Sequence, residues 1–580
     1  MVRRSTLNSC VLALLFCGSL LGACGQTVST IATPKTSSRL VDPPMTLTGS
    51  PWAPDFSAIG MNNAHTSATV SKTVTTVTGV TMVDSGETSV SGKEVDVAIP
   101  MTTDLGEQGS LSIVAEVINK PTIAGTTAYT VLPMLVSMVE PTHSYDYVNL
   151  AHSGACSSSG YLDCDATSGC SVKSSCTMSW PSGFSSKSQW LQHQGYLSPN
   201  VSMNTFPTCN WSGGTINGGT DDSKCAFNTT FLVGGKLPYG GGYVYHARFL
   251  LMGADAGFSI SGNTADLRVT VVKKTDTDTV GAATGTLDLN LILVGDKNVQ
   301  ASRSLKGQQN LTELLKSVRD IYSPTGISIG QVNVYEWSSA ENGNYYANTP
   351  YDELEDMYEV AAQTIPDLAT SEAVNLFLVS TIPYDDSSGL TILGIAGAID
   401  GPPIGGTGAS GLSFSSFNKL ATYNTDASCD GTNPCGRDVQ QSDFIDMGQT
   451  IAHEMGHFLG LNHPSESSGA SHDVLRDTPK CTKINSGDDY ITLDSCAVDT
   501  NIYKPDAGTP SVDTCPEVCS GYHEWNYVVC PDKLACQFNH TMWWTTKKII
   551  TGDANSATNG DGNLFSPDSQ TIMHFHPLVQ

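Results

Sequence analysis

One run of eleven residues, His453-Glu454-Met455-Gly456-His457-Phe458-Leu459-Gly460-Leu461-Asn462-His463, restricts the fold more than any other part of the chain. Residues Phe444–Leu459 are apolar on one helical face, with Ser442 or Asp443 as the N-cap, so the pattern predicts a helix. On that helix His453 and His457 stand four apart, and their rings leave the same face one turn apart. Two imidazoles so placed can both reach one zinc ion at about 2.0–2.1 Å. A straight helix cannot deliver His463 to the same ion. Gly460 removes the difficulty, because glycine takes φ > 0 without strain, ends the helix and turns the chain. Glu454 then lies beside the open coordination position, where it can hold a water and exchange a proton with it. The residues thus predict one zinc ion held by His453, His457 and His463, with Glu454 as general base and acid. Chance would produce the full pattern roughly once in 10⁴ chains of this composition, far more rarely than a bare H-E-x-x-H. The competing reading is a His-rich helix end whose imidazoles are satisfied within the core.

The start of the chain indicates its compartment. Val2-Arg3-Arg4 is a short basic opening, and the apolar run from Val11 to Leu21 is too short to span a bilayer. Residues 1–23 therefore read as a secretory signal. Its end, Leu21-Gly22-Ala23-Cys24, resembles the bacterial lipobox, which implies lipid attachment at Cys24; the alternative is an ordinary signal with an incidental cysteine. Residues 24–46 are Ser/Thr/Pro-rich without apolar period and read as a flexible tether. The resemblance to lipoproteins, with no Asp at position 25, implies an envelope protein of the outer membrane or cell surface, anchored to a bacterial membrane or released from it.

Composition narrows the partners. Lys+Arg 29 against Asp+Glu 56 leaves a net charge of −27, which excludes a nucleic-acid binder built on a basic face. Hydrophobic residues at 39% with 55 Gly exclude both a polytopic membrane protein and an acidic disordered chain. Of 17 Cys, Cys10 and Cys17 leave with the signal and Cys24 would carry lipid. The rest form even clusters: Cys156, Cys164, Cys170, Cys176, Cys209 and Cys225; Cys429 and Cys435; Cys481, Cys496, Cys515, Cys519, Cys530 and Cys536. Even clusters in an exported chain read as local disulfides, and none has the C-x2-C spacing of a structural zinc site. Only the Cys429–Cys435 pairing is suggested; the six-Cys clusters leave connectivity open.

The pattern changes once along the chain. Residues 47–275 show short β-prone runs at Thr69–Thr81, Lys93–Ile99, Leu111–Ile118, Tyr129–Val139, Gly242–Met252 and Asp266–Lys273, predicting an all-β sandwich or jelly roll. Within it, 151–226 reads as a Cys-rich insertion. A linker is expected over 276–286. From 287 to 580, strands and helices alternate: strands at Leu287–Val294, Ile327–Trp337 and Ala373–Ile382, helices at Gln309–Tyr322 and Tyr351–Ile365, and two more exposed strands at Ile392–Ile399 and Gly411–Phe417. The expected architecture is multidomain, all-β followed by α/β (α+β) with a mixed twisted sheet, an active-site helix and an irregular disulfide-rich C-terminal subdomain.

The extended motif resembles that of the metzincin zinc endopeptidases. Met447-Gly448-Gln449-Thr450-Ile451-Ala452 before it and Asp473-Val474-Leu475-Arg476-Asp477-Thr478-Pro479 after it are similar to the pappalysin-type branch. The resemblance covers residues 287–580 and implies an upper subdomain over 287–463 and a lower one over 464–580. It also implies a second metal, with Asp477 and Thr478 as candidate calcium ligands; an Asx-type turn before Pro479 is the other reading. A Met-turn beneath the metal is implied too. Met542 is the candidate and Met573 the runner-up, because Ser566-Pro567 reads as the start of the helix that follows the Met-turn in bacterial members. Many members place Tyr two residues after that Met; here Trp544 stands there, which puts a tyrosine-assisted oxyanion role in doubt. His472, His523, His540, His574 and His576 are weaker candidates for a fourth ligand.

Two functions follow as expectations. The first is a zinc-dependent endopeptidase cutting protein or peptide substrate laid along the sheet edge above the zinc helix. The second is a surface binding or adhesion lipoprotein whose main role lies in the β domain; that domain could also be an inhibitory pro-region. Oligomeric state and cleavage preference are left open by the sequence.

Overall fold

The computed structural model describes residues 56–65, 68–84, 92–121, 131–142, 227–234, 237–253, 259–279, 284–294, 305–337, 354–379, 391–415, 441–463 and 567–580, with shorter stretches between 145 and 207, at 382–383, between 480 and 497, and around Met542 and Phe565. The chain is mostly β, with mixed sheets and few helices.

The first strands are β1 (Thr69–Asp84), β2 (Val95–Pro100), β3 (Ser110–Ile118), β4 (Val131–Glu140), β5 (Tyr145–Asn149), the hairpin β6 (Tyr161–Asp165) and β7 (Gly169–Lys173), β8 (Asn204–Pro207), β9 (Phe227–Gly234), β10 (Val244–Gly253) and β11 (Thr264–Thr275). Hydrogen bonding runs β5-β4-β10-β1-β11-β3-β9-β8, with β2 also on β10. β1 pairs antiparallel with β11 as far as Thr81, then parallel with β10 over Met82–Asp84, and its register shifts between Val77 and Val80. A bulge of that kind lets one strand pass from one layer to the next. The layers meet face to face: Leu111, Ile113, Ala115 and Val117 of β3, Leu267, Val269 and Val271 of β11, and Tyr245, Ala247, Phe249 and Leu251 of β10 share one apolar core. Every second residue points inward, the period a pleated strand imposes.

The chain then continues through β12 (Gly285–Val294), α1 (Leu305–Tyr322), β13 (Ile327–Trp337), α2 (Leu354–Thr364), β14 (Val374–Val379), the short pair β15 (Ile382–Pro383) and β16 (Thr391–Ile392), β17 (Gly394–Ala396), β18 (Leu412–Ser415), α3 (Gln441–Phe458), the hairpin β19 (Lys480–Ser486) and β20 (Ile491–Ala497), and α4 (Pro567–Phe575). A five-stranded sheet runs β13-β12-β14-β18-β17, parallel except for the antiparallel edge strand β17. Leu287, Leu289, Leu291 and Leu293 pack with α1 and α3 on one face, while Ile292 and Val294 pack with α2 on the other. Covering both faces explains why this strand reads as one continuous apolar run.

Several expectations are corrected. Residues 56–65 lie on the β13 edge rather than with the sandwich: Phe56 and Met61 enter the α/β core, Asn62 N–H donates to Gly330 O at 2.9 Å, and Arg319 reaches Ile59 O. β11 ends at Thr275 and β12 begins at Gly285, on either side of the expected linker 276–286, and Asp276 within it is buried. β17 and β18, expected to be exposed, are buried, since α3 packs across them. The strand expected at Ala373–Ile382 ends at Val379. α3 begins at Gln441, so Ser442 and Asp443 stand in its first turn rather than at its cap.

The signal and tether (1–46), most of 151–226, the Cys429–Cys435 loop, Asp477, Thr478, Trp544 and most of the lower subdomain lie outside the described residues. The backbone register sets Cys164 opposite Cys170 and Cys481 opposite Cys496. No described helix is long and apolar enough to cross a membrane.

The outer face of β11, β3 and β9 is buried against the α/β unit. A Cβ on Gly234 would meet the Phe575 ring at 2.2 Å, and the buried Lys274 pairs with Asp276 at 3.1 Å and donates to the His574 carbonyl. A chain beginning at Leu287 would lose Phe56, Met61 and this cover, and each buried side chain contributes about 1.5–3 kcal/mol. It is expected to show no cooperative thermal melt by circular dichroism, whereas a chain beginning at Phe56 melts cooperatively. Equal melting of the two would show the 56–65 segment and the sandwich to be dispensable for folding.

Candidate metal centre

α3 carries the centre, and its neighbours fix it. The Tyr322 hydroxyl of α1 donates to Ala452 O at 3.0 Å, holding the middle of α3. The helix ends in a paired closure: Gly460 N–H donates to His457 O and Leu461 N–H to Gly456 O, both at 2.9 Å. This is the Schellman arrangement, which needs a left-handed residue after the helix; Gly460 supplies it at φ 107°. The chain then turns so that His463 faces His453 and His457.

The three rings converge through one atom each. His463 Nε2 lies 3.1 Å from both His453 Nε2 and His457 Nε2. A tetrahedral zinc with bonds of about 2.0–2.1 Å sets its ligand nitrogens about 3.3–3.4 Å apart, so the donor set fits such an ion. His457 Nδ1–H donates to Leu461 O at 2.7 Å, which leaves the Nε2 lone pair free to face the centre. All three histidines are buried, and they are the one metal-capable group of His, Cys, Asp and Glu among the described residues.

Glu454 is 2% exposed, and its Oε2 has no hydrogen-bond partner among the described residues. Burial holds its carboxyl well above the usual range, and the Ala396 amide of β17 pulls the other way. β17 presses closely on it: a Cβ on Gly394 would come within 2.7 Å of Glu454 Cγ. The same crowding occurs at Gly456, where a Cβ would stand 2.3 Å from Met542 Sδ, so Met542 lies directly against the helix that carries His453 and His457. Met573 is buried in the same core, on α4.

The remaining histidines go elsewhere. His574 Nε2 donates to Thr325 O and His576 Nε2 to Gly401 O, each at 2.9 Å, so both serve the backbone. His472, His523 and His540 lie outside the described residues. Burial lowers the His576 pKa to about 4, and its Nδ1 accepts the Leu578 N–H, a bond that only the neutral ring can make. Asp400, with no motif around it to mark it in the sequence, is 1% exposed beside the turn at Gly460, and burial raises its pKa to about 8. A glycine-rich run from Gly397 to Gly411 was the one available hint of close packing there.

No family model and no curated protein matches the chain. Among solved structures, it is similar to "Crystal Structure of metalloproteinase-II from Bacteroides fragilis", at 14% identity over 37% of this chain and 56% of that one, with a TM-score of 0.19. It is also similar to "Structure of a chaperone-substrate complex", at 13% identity over 32% of this chain and 28% of that one, with a TM-score of 0.20. The chain thus spans less than two thirds of either, and likenesses this slight carry no functional weight.

Zinc at about 1,000 times its Kd should stabilise the metal-free protein by about 4 kcal/mol, read as a rise in Tm. His457→Ala should abolish that rise, and an undiminished one would exclude the histidine from the site. Between pH 6.5 and about 4 the unfolded chain protonates position 576 while the native ring stays neutral, so stability falls as pH drops through that window. The loss amounts to about 3 kcal/mol. His576→Gln should flatten this part of the urea-midpoint profile; a profile parallel to wild type would assign the acid sensitivity to other groups.

Proposed function

We propose that the chain is a zinc-dependent endopeptidase of the metzincin type, in the pappalysin-type branch. The observation that carries this reading is the convergence of three histidine nitrogens, with the buried carboxylate of the adjacent residue keeping one oxygen without a hydrogen-bond partner among the described residues.

Zinc held by His453, His457 and His463 would polarise the scissile carbonyl and acidify the attacking water. Glu454 takes the proton of that water through Oε2 and passes it to the leaving amine. The Leu461 carbonyl keeps the His457 ring in the tautomer that presents Nε2. β17 is the edge strand of the sheet beside Glu454 among the described residues, a position that suits an extended peptide added as a further strand. Met542 serves as the Met-turn, its sulfur an apolar floor against Gly456. Calcium at Asp477 and Thr478, lipid on Cys24, disulfides within each Cys cluster and a place at the outer membrane or cell surface belong to the same reading.

The test is a peptide-library digest with wild type and Glu454→Gln, with and without a zinc chelator. Wild type should cleave and lose cleavage to the chelator. The variant should retain zinc at full stoichiometry while its turnover falls about 10²–10⁴-fold. Unchanged cleavage by the variant would remove Glu454 from the reaction, and cleavage indifferent to the chelator would remove the metal.

A further inference from the structure

Asp400 lies in the loop between β17 and β18, fully enclosed, and neither of its carboxylate oxygens has a hydrogen-bond partner among the described residues. An unsatisfied buried polar group costs about 1–3 kcal/mol, so an apolar residue would serve better if the position only filled space. Three pieces of the molecule meet there. Oδ1 stands 3.4 Å from where a Cβ on Gly460 would be, against the left-handed residue that turns the chain toward His463. The Leu232 amide, on strand β9 of the sandwich, approaches the same carboxylate. The next residue, Gly401, donates its N–H to Phe458 O at 2.7 Å, at the end of α3, and accepts from His576 at 2.9 Å. The loop is therefore clamped on both sides of the turn, and Asp400 is the side chain that fills the angle.

We propose that Asp400 is a positioning residue for the third metal ligand, bracing Gly460 against the sandwich edge and so fixing the approach of His463. The inference rests on His453, His457 and His463 being metal ligands. It assigns the sandwich a part in building the metal centre, which hydrolysis itself does not demand.

The test uses the full chain, with zinc affinity measured by competition against a chromophoric chelator and the visible spectrum recorded with cobalt(II). Asp400→Ala should bind zinc about 10-fold more weakly, the lower end for a residue supporting a ligand from outside, with altered cobalt band intensities. Asp400→Asn keeps the shape and should stay close to wild type in both. If Asp400→Ala does not fold, Asp400→Glu decides, because the added methylene pushes on Gly460 and should weaken zinc binding and perturb the cobalt bands. Wild-type affinity and spectrum in whichever of these two variants is folded would overturn the proposal, as would equal losses in the Asn variant. Wild-type protein that binds no zinc would overturn the metal site itself, a result distinguishable from failure of Asp400 alone.

Discussion

His463 Nε2 stands about 3 Å from the Nε2 atoms of His453 and His457, and the carboxylate of Glu454 is buried on the next residue, so four polar groups are withdrawn from water in one place, which is costly without partners. All three rings and Glu454 are buried, and the same stretch of chain enters the apolar core through Met447, Ile451, Ala452, Met455, Phe458 and Leu461. A cation at the centre would bind all three nitrogens at once and set a counter-charge near the carboxylate. Much of the α/β unit can be understood as holding the nitrogens in place meanwhile. α1 pins the middle of α3 through Tyr322, the Schellman closure fixes its end, and Met542 blocks its underside at Gly456.

The sandwich takes part in the same enclosure. Its outer face is not a free surface over β11, β3 and β9: Lys274 reaches across to the carbonyl end of α4, and Phe575 occupies the room that Gly234 leaves. Burial lowers the Lys274 pKa, and the adjacent Asp276 opposes that shift. A cation at a helix C-terminus is favourable in itself, and here it comes from a strand of the other unit. A pro-region that is shed would leave Lys274, Asp276 and Phe575 uncovered together.

Local chemistry was legible in the sequence and long-range packing was not. The helix, its ending at Gly460 and the approach of His463 follow from four-residue spacing and one left-handed position, both encoded within eleven residues. Most strands were placed within two or three residues because pleat alternation is local; Ile327–Trp337 matches end for end. The burial of β17 and β18 could not be read, since it depends on α3 lying across them. Nor could the return of residues 56–65 to the β13 edge, a contact spanning more than 250 residues of sequence. Asp400 escaped notice for the same reason: its neighbours Gly460 and Leu232 come from different units, and an isolated Asp before Gly-Pro-Pro reads as a turn.

β17 links the metal centre to whatever lies along the sheet edge. It is three residues long, antiparallel to β18, and among the described residues no strand pairs with its other side. Two of those residues govern Glu454: Gly394 leaves just enough room for its side chain, and the Ala396 amide approaches its carboxylate. A peptide adding to this edge would hydrogen-bond to the backbone that sets the position of the proposed base. A displacement of β17 would be felt at Glu454, because even a Cβ on Gly394 would come within 2.7 Å of Glu454 Cγ. Binding and proton transfer would therefore share one structural element, and the orientation of the base would depend on whether that edge is filled.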